Sequence, residues 1–144
     1  MEEKNVTVAI RSLQRGSGES QSVTQHVEGR LSGEGEKLLL TYREREDSGL
    51  GQTLTTLHME PGRVTLTRTG EVKTHMVFQE GKAHTSLYET PYGKLPMTIR
   101  TQRLEEKLSL AGGSLYVIYE IQLGGADVGE TRLRLTVNTK EKEL

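Results

Sequence analysis

Apolar residues recur at every second position along almost the whole chain, and this alternation is what most restricts its fold. A period of two lines one face of a β-strand, whereas a helix face needs spacings of three and four. Val6, Val8 and Ile10 alternate with Thr7, Ala9 and Arg11 until RGSGES breaks the run. Val23, Val27 and Leu31 form a second line that ends in SGEGE; Leu38, Leu40 and Tyr42 form a third that ends in EDSGLG. Thr53, Thr55, Leu57 and Met59 lead to Pro61-Gly62, a pair suited to a type II turn, and Val64 and Leu66 leave it. Val72, Thr74, Met76 and Phe78 run to a Glu80-Gly81 turn, and Ala83, Thr85 and Leu87 return. Leu115, Val117, Tyr119, Ile121 and Leu123 make the longest clean line; GGADVG reverses it, and Leu133, Leu135 and Val137 close the pattern. The spacing predicts an all-β chain of roughly 8–10 strands, a barrel or a sandwich. A hydrophobic content of 33% is enough for such a core, because only alternate residues enter it. Residues 1–144 fit one domain.

Two stretches need separate argument. At Pro91-Tyr92 a two-residue loop would pair Tyr88 with Leu95 and Ser86 with Met97, setting an apolar line against a polar one. A three-residue loop, Pro91-Tyr92-Gly93, pairs Glu89 with Leu95 and Leu87 with Met97 and puts glycine where a left-handed residue is wanted. A one-residue slip flips every side chain, so the pattern favours the three-residue loop. RLEEKLSL at 103–110 is the only helical candidate, with Leu104 and Leu108 one turn apart; strand, single turn and short helix all stay open there.

Composition excludes several classes. With 19 basic and 20 acidic residues the net charge is −1, so no overall field draws the chain to nucleic acid or to an anionic membrane. The absence of cysteine removes disulfides, thiolate catalysis and thiolate-bound metal. MEEKNVTVAI is charged and enters a strand at once, unlike a signal peptide, and no apolar run reaches the roughly 20 residues of a membrane helix. A cytoplasmic location without membrane contact is expected. G-x-G occurs at 16–18, 33–35 and 49–51, but no helix follows, so these read as turn glycines. On the hairpin that the alternation implies around Glu80-Gly81, Val77 pairs with His84. That puts His75 and His84 diagonally on one outer face, roughly 7–8 Å apart, too far to share a metal without side-chain rotation. Neither a metal nor a cofactor is expected.

The middle of the chain carries a resemblance. L-T-Y-R-E at 40–44, V-T-L-T-R-T-G-E-V-K at 64–73, F-Q-E-G-K at 78–82, Y-E-T-P-Y-G-K-L at 88–95, I-R-T at 99–101 and V-I-Y-E at 117–120 together resemble the YwiB-like family of small bacterial proteins. The resemblance implies a single antiparallel lipocalin-like (calycin) β-barrel. It brings no catalytic residues with it.

In a barrel, polar residues on the apolar lines are the informative ones. Arg68 continues Val64-Leu66, Glu44 continues Leu38-Leu40-Tyr42, Glu89 continues Ala83-Thr85-Leu87, and Tyr119 lies within the Leu115–Leu123 line. The expected function is non-enzymatic binding of a small anionic ligand inside the barrel. Arg68 is its anchor, since a guanidinium is a rigid, always-charged fork, and Tyr42, Glu44, Glu89 and Tyr119 surround it. The plainer reading pairs Arg68 with Glu44 or Glu89, or leaves these residues at the rim. A protein-interaction or structural module with a packed interior is the alternative function. An enzyme, with Glu44 and Glu89 as acid and base, or a weak single-stranded nucleic-acid binder using Arg100, Arg103, Arg132 and Arg134, comes third. A homodimer through an open strand edge stays open.

Overall fold

The computed structural model describes residues 2–16, 19–43, 53–70 and 73–140. Ten strands follow in order: β1 (Glu2–Gly16), β2 (Glu19–Glu34), β3 (Lys37–Arg43), β4 (Thr53–Glu60), β5 (Arg63–Gly70), β6 (Thr74–Phe78), β7 (Ala83–Thr90), β8 (Gly93–Ser109), β9 (Gly112–Leu123) and β10 (Ala126–Thr139). They form one antiparallel sheet in the order β6-β5-β4-β3-β2-β1-β10-β9-β8-β7. The path is a meander in which the first strand also pairs with the last, from Val6 opposite Thr139 to Arg15 opposite Glu130.

The two sheet edges, β6 and β7, meet to make a nearly closed barrel. Their ladder reduces to a single bridge, in which Lys73 and Glu89 exchange both backbone N–H···O bonds at 2.9 Å. Beyond it the Ser86 hydroxyl donates to the His75 carbonyl. At the far end the Gly81 N–H reaches the Thr101 carbonyl at 2.9 Å, and the Thr101 N–H reaches that of Lys82 at 3.0 Å.

The alternation lands where its period requires. Val6, Val8, Leu31, Leu40, Leu57, Val64, Leu66, Phe78, Ile99, Leu115, Val117, Leu135 and Val137 are all fully buried inside. Pro61-Gly62 forms the two-residue turn between β4 and β5, with Gly62 at φ 77° as a type II turn requires.

Three expectations fail, each for a local reason. The Pro91-Tyr92 turn has two residues, not three: Thr90 pairs with Gly93, Glu89 with Lys94, Tyr88 with Leu95 and Ser86 with Met97. The inner face of β7 is therefore His84, Ser86 and Tyr88, while Leu87 is 55% exposed. β7 tolerates a polar inner line because it lies at the seam, where the Ser86 hydroxyl serves the closure itself. The same register separates the histidines. His84 lies across from buried Ile99 and contacts Gln79 at 2.7 Å, whereas His75 is exposed beside Thr67. Finally, of the G-x-G glycines Gly35 does lie in a turn, at φ 63°, but Gly16 and Gly33 lie within β1 and β2; a Cβ on Gly16 would sit 2.6 Å from the Val128 carbonyl oxygen. Gly18, Gly49 and Gly51 fall outside the described residues.

Residues 103–109 are strand, and Leu110 begins the turn that follows. A bulge between Thr101 and Arg103 inserts Gln102 and moves the inner face from odd to even positions. Leu104, Leu108 and Leu110 then pack against the core at one barrel end. There the Glu106 carboxylate accepts the Gly62 N–H at 2.8 Å, tying β8 to a turn on the far side of the barrel.

Candidate functional site

The opposite end of the barrel holds a cavity of about 340 Å³. A polar row crosses the inner wall there, because the ladder sets Tyr42 opposite Thr55, Thr55 opposite Arg68 and Arg68 opposite Thr74. Arg68 is half-buried and its side chain lines the cavity. Thr74 Oγ1 is buried and makes no hydrogen bond among the described residues. Tyr42, at the end of the row, is buried in the core.

Tyr119 forms the other polar point. Its ring packs on Phe78 at 4.9 Å, it shares a hydrogen bond with Thr131, and it lines the cavity. Burial pushes its hydroxyl pKa up, opposed by the positive charge of Arg68 and the Thr131 hydrogen bond. The phenol therefore keeps its proton and can act as a hydrogen-bond donor.

Around these two, Ile10, Met76, Met97, Ile121, Leu123 and Leu133 supply an apolar lining. Ser12, Gln14, Gln21 and Gln25 form a second polar wall on the β1–β2 hairpin, with Tyr88 on β7. The sequence reading missed these five. Their signal was present, since Ser12 and Gln14 continue the line Val6-Val8-Ile10, and Gln21 and Gln25 interleave with Val23 and Val27. Tyr88 was hidden by the register error.

The structure thus brings Arg68, Tyr42 and Tyr119 to one end of the interior. Glu89 is not among them: the two-residue turn puts it on the outer face, where it pairs with Lys94 at 3.1 Å. Glu44 lies outside the described residues. The arginine strip is also broken up. Arg100 faces Glu120 across the ladder, Arg103 pairs with Glu105, Arg132 pairs with Glu130 at 2.9 Å, and Arg134 lies over the Tyr116 ring. No group of three or more His, Asp or Glu side chains able to hold a metal occurs among the described residues.

Chemically, the cavity offers a cationic fork, a buried phenol and amides around an apolar body. No carboxylate or imidazole among its described lining residues is placed to move a proton.

The chain is similar to known proteins over most of its length. It is 24% identical over 123 residues, 85% of each chain, to the uncharacterized beta-barrel protein YwiB of Bacillus subtilis (strain 168). The crystal structure of the ywiB protein from Bacillus subtilis superposes with a TM-score of 0.86 at 22% identity, over 96% of this chain and 94% of that one. Residues 8–135 match the model of a domain of unknown function, DUF1934. With nearly the whole barrel inside that match, the chain belongs to the DUF1934 family.

Proposed function

We propose that this protein is a non-enzymatic, cytoplasmic, calycin-type barrel that takes a small anionic molecule into its open end. The observation that carries this reading is the position of Arg68, a half-buried guanidinium and the one charged side chain among the described residues that line a cavity of about 340 Å³. That volume lies within the range of roughly 300–1,000 Å³ typical of small-molecule sites. An anionic head meets Arg68, with the Tyr119 hydroxyl as a second donor, and the apolar body packs on Met76, Met97 and Ile121.

Native mass spectrometry of protein purified without refolding looks for a co-purified anion, and calorimetry with benzoate and octanoate measures binding directly. Arg68→Met should weaken binding about 10- to 100-fold, the loss of one charge-assisted contact. Equal binding by the mutant and the wild type sinks the anchor role.

A second reading, a protein-interaction module, draws support from the β7–β8 hairpin, where Leu87, Tyr92 and Leu95 are all exposed. A single sedimenting species of monomer mass, unchanged by Leu87→Ser, would speak against self-association through it.

A further inference from the structure

The outer wall sets two arginines directly against each other. Arg11 on β1 and Arg134 on β10 are register partners. Like charges so placed destabilise a sheet. Among the described residues, no acidic side chain stands beside them on the neighbouring strands. Across from Arg11 on β2 stands Thr24, flanked by Ser22 and His26; beside Arg134 stand Arg132 and Thr136. Among the described residues, carboxylates of this wall are engaged elsewhere: Glu130 by Arg132, Glu105 by Arg103 and Glu28 by Lys140. Arg134 lies over the Tyr116 ring, 4.4 Å from its centroid, and so leans toward β9 and away from Arg11.

A hollow of about 350 Å³ lies at this place, lined by Arg11, Arg134, His26, Thr24 and Thr136 with the backbone region of Ala9 and Ile10. It combines two guanidinium forks with two hydroxyls and an imidazole, and no acid is among its described lining residues.

We propose that this hollow binds a phosphate monoester or free phosphate, held between Arg11 and Arg134. Two forks and two hydroxyls match the terminal oxygens of a phosphoryl group better than the two oxygens of a carboxylate. The Tyr116 face is covered by Arg134, so the site lacks the open stacking platform that a single-stranded nucleic acid uses. The site lies outside the barrel wall and is independent of the Arg68 cavity.

The test titrates the intact protein at low ionic strength with inorganic phosphate, adenosine 5′-monophosphate and a short single-stranded RNA. Amide NMR shifts and thermal unfolding are the readouts. Phosphate or the monophosphate should shift the amides around Arg11, Thr24 and Arg134 and raise Tm, the stronger of the two identifying free phosphate or an ester as the ligand. Arg11→Gln and Arg134→Gln should each weaken binding at least tenfold. In phosphate-free buffer Arg11→Gln should unfold at an equal or higher temperature than wild type, because a like-charge opposition is gone. Equal phosphate binding by Arg11→Gln and wild type overturns the proposal, as does an identical effect of chloride at matched ionic strength. A lower Tm of Arg11→Gln without phosphate makes the pair structural and also overturns it. RNA binding far tighter than the monophosphate would move the site to nucleic acid.

Discussion

Gly129 shows how sharply one residue can be constrained here. Its φ is 118°, and a Cβ built on it would lie 2.1 Å from the Arg15 carbonyl oxygen on the neighbouring strand. Both the conformation and the backbone contact exclude a side chain. Gly62 also has a positive φ, 77°, yet an added Cβ meets nothing within 4 Å. Gly129→Ala should therefore cost about 3 kcal/mol or more, against roughly 1–2 kcal/mol for Gly62→Ala, as chemical denaturation would measure. Comparable losses for the two would show that the close approach at Arg15 is not what constrains Gly129. The sequence marks both as turn-like glycines. Only the pairing of β1 with β10 separates a glycine that needs space from one that needs a dihedral angle.

At the scale of the element, β8 is the strand whose alternation is interrupted. Leu95, Met97, Ile99 and Thr101 keep the period of two, and the next inward residue is Leu104, three positions on. A single bulge residue, Gln102, produces that step, and from sequence it mimics a helical spacing. After the bulge, Glu106 comes to a half-buried position against the Gly62 amide. Burial raises its carboxyl pKa, and the hydrogen bond from Gly62 opposes the rise without cancelling it. The folded state then holds this proton more tightly than the unfolded chain does. The stabilisation is complete below the unfolded carboxyl pKa of about 4.3 and is lost as pH rises through the raised folded value. Glu106→Gln keeps an acceptor for Gly62 and removes the charge. Its Tm should exceed that of wild type at pH 7, and the gap should close below pH 4. A wild type more stable than this variant at neutral pH would reverse the sign of the argument.

At the scale of the whole molecule, the barrel has one weak line. Every neighbouring pair of strands is held by a regular ladder except β6 and β7, which share one bridge and the Ser86–His75 contact. Local opening follows the fewest backbone bonds, so the seam should open first. Hydrogen exchange should find the β6 and β7 amides that face each other exchanging at least tenfold faster than those between β1 and its two neighbours. Ser86→Ala should widen the difference. Uniform protection around the barrel would mean that the seam is no weaker than the ladders.

The alternation by itself determined most of the strands and their inner faces, β7 and the second half of β8 excepted, because a period of two admits no other regular structure. It also placed Arg68, Tyr42 and Tyr119 on inward lines, since an unbroken strand carries its parity from end to end. What it left to the tertiary structure were the features where parity is reset or where sheet edges meet. The two-residue turn at Pro91-Tyr92 turned Glu89 outward, the bulge at Gln102 hid a strand, and the pairing of the first strand with the last set Arg11 against Arg134. Each depends on which strands become neighbours, and that choice is made by closure of the sheet rather than by any local run of residues.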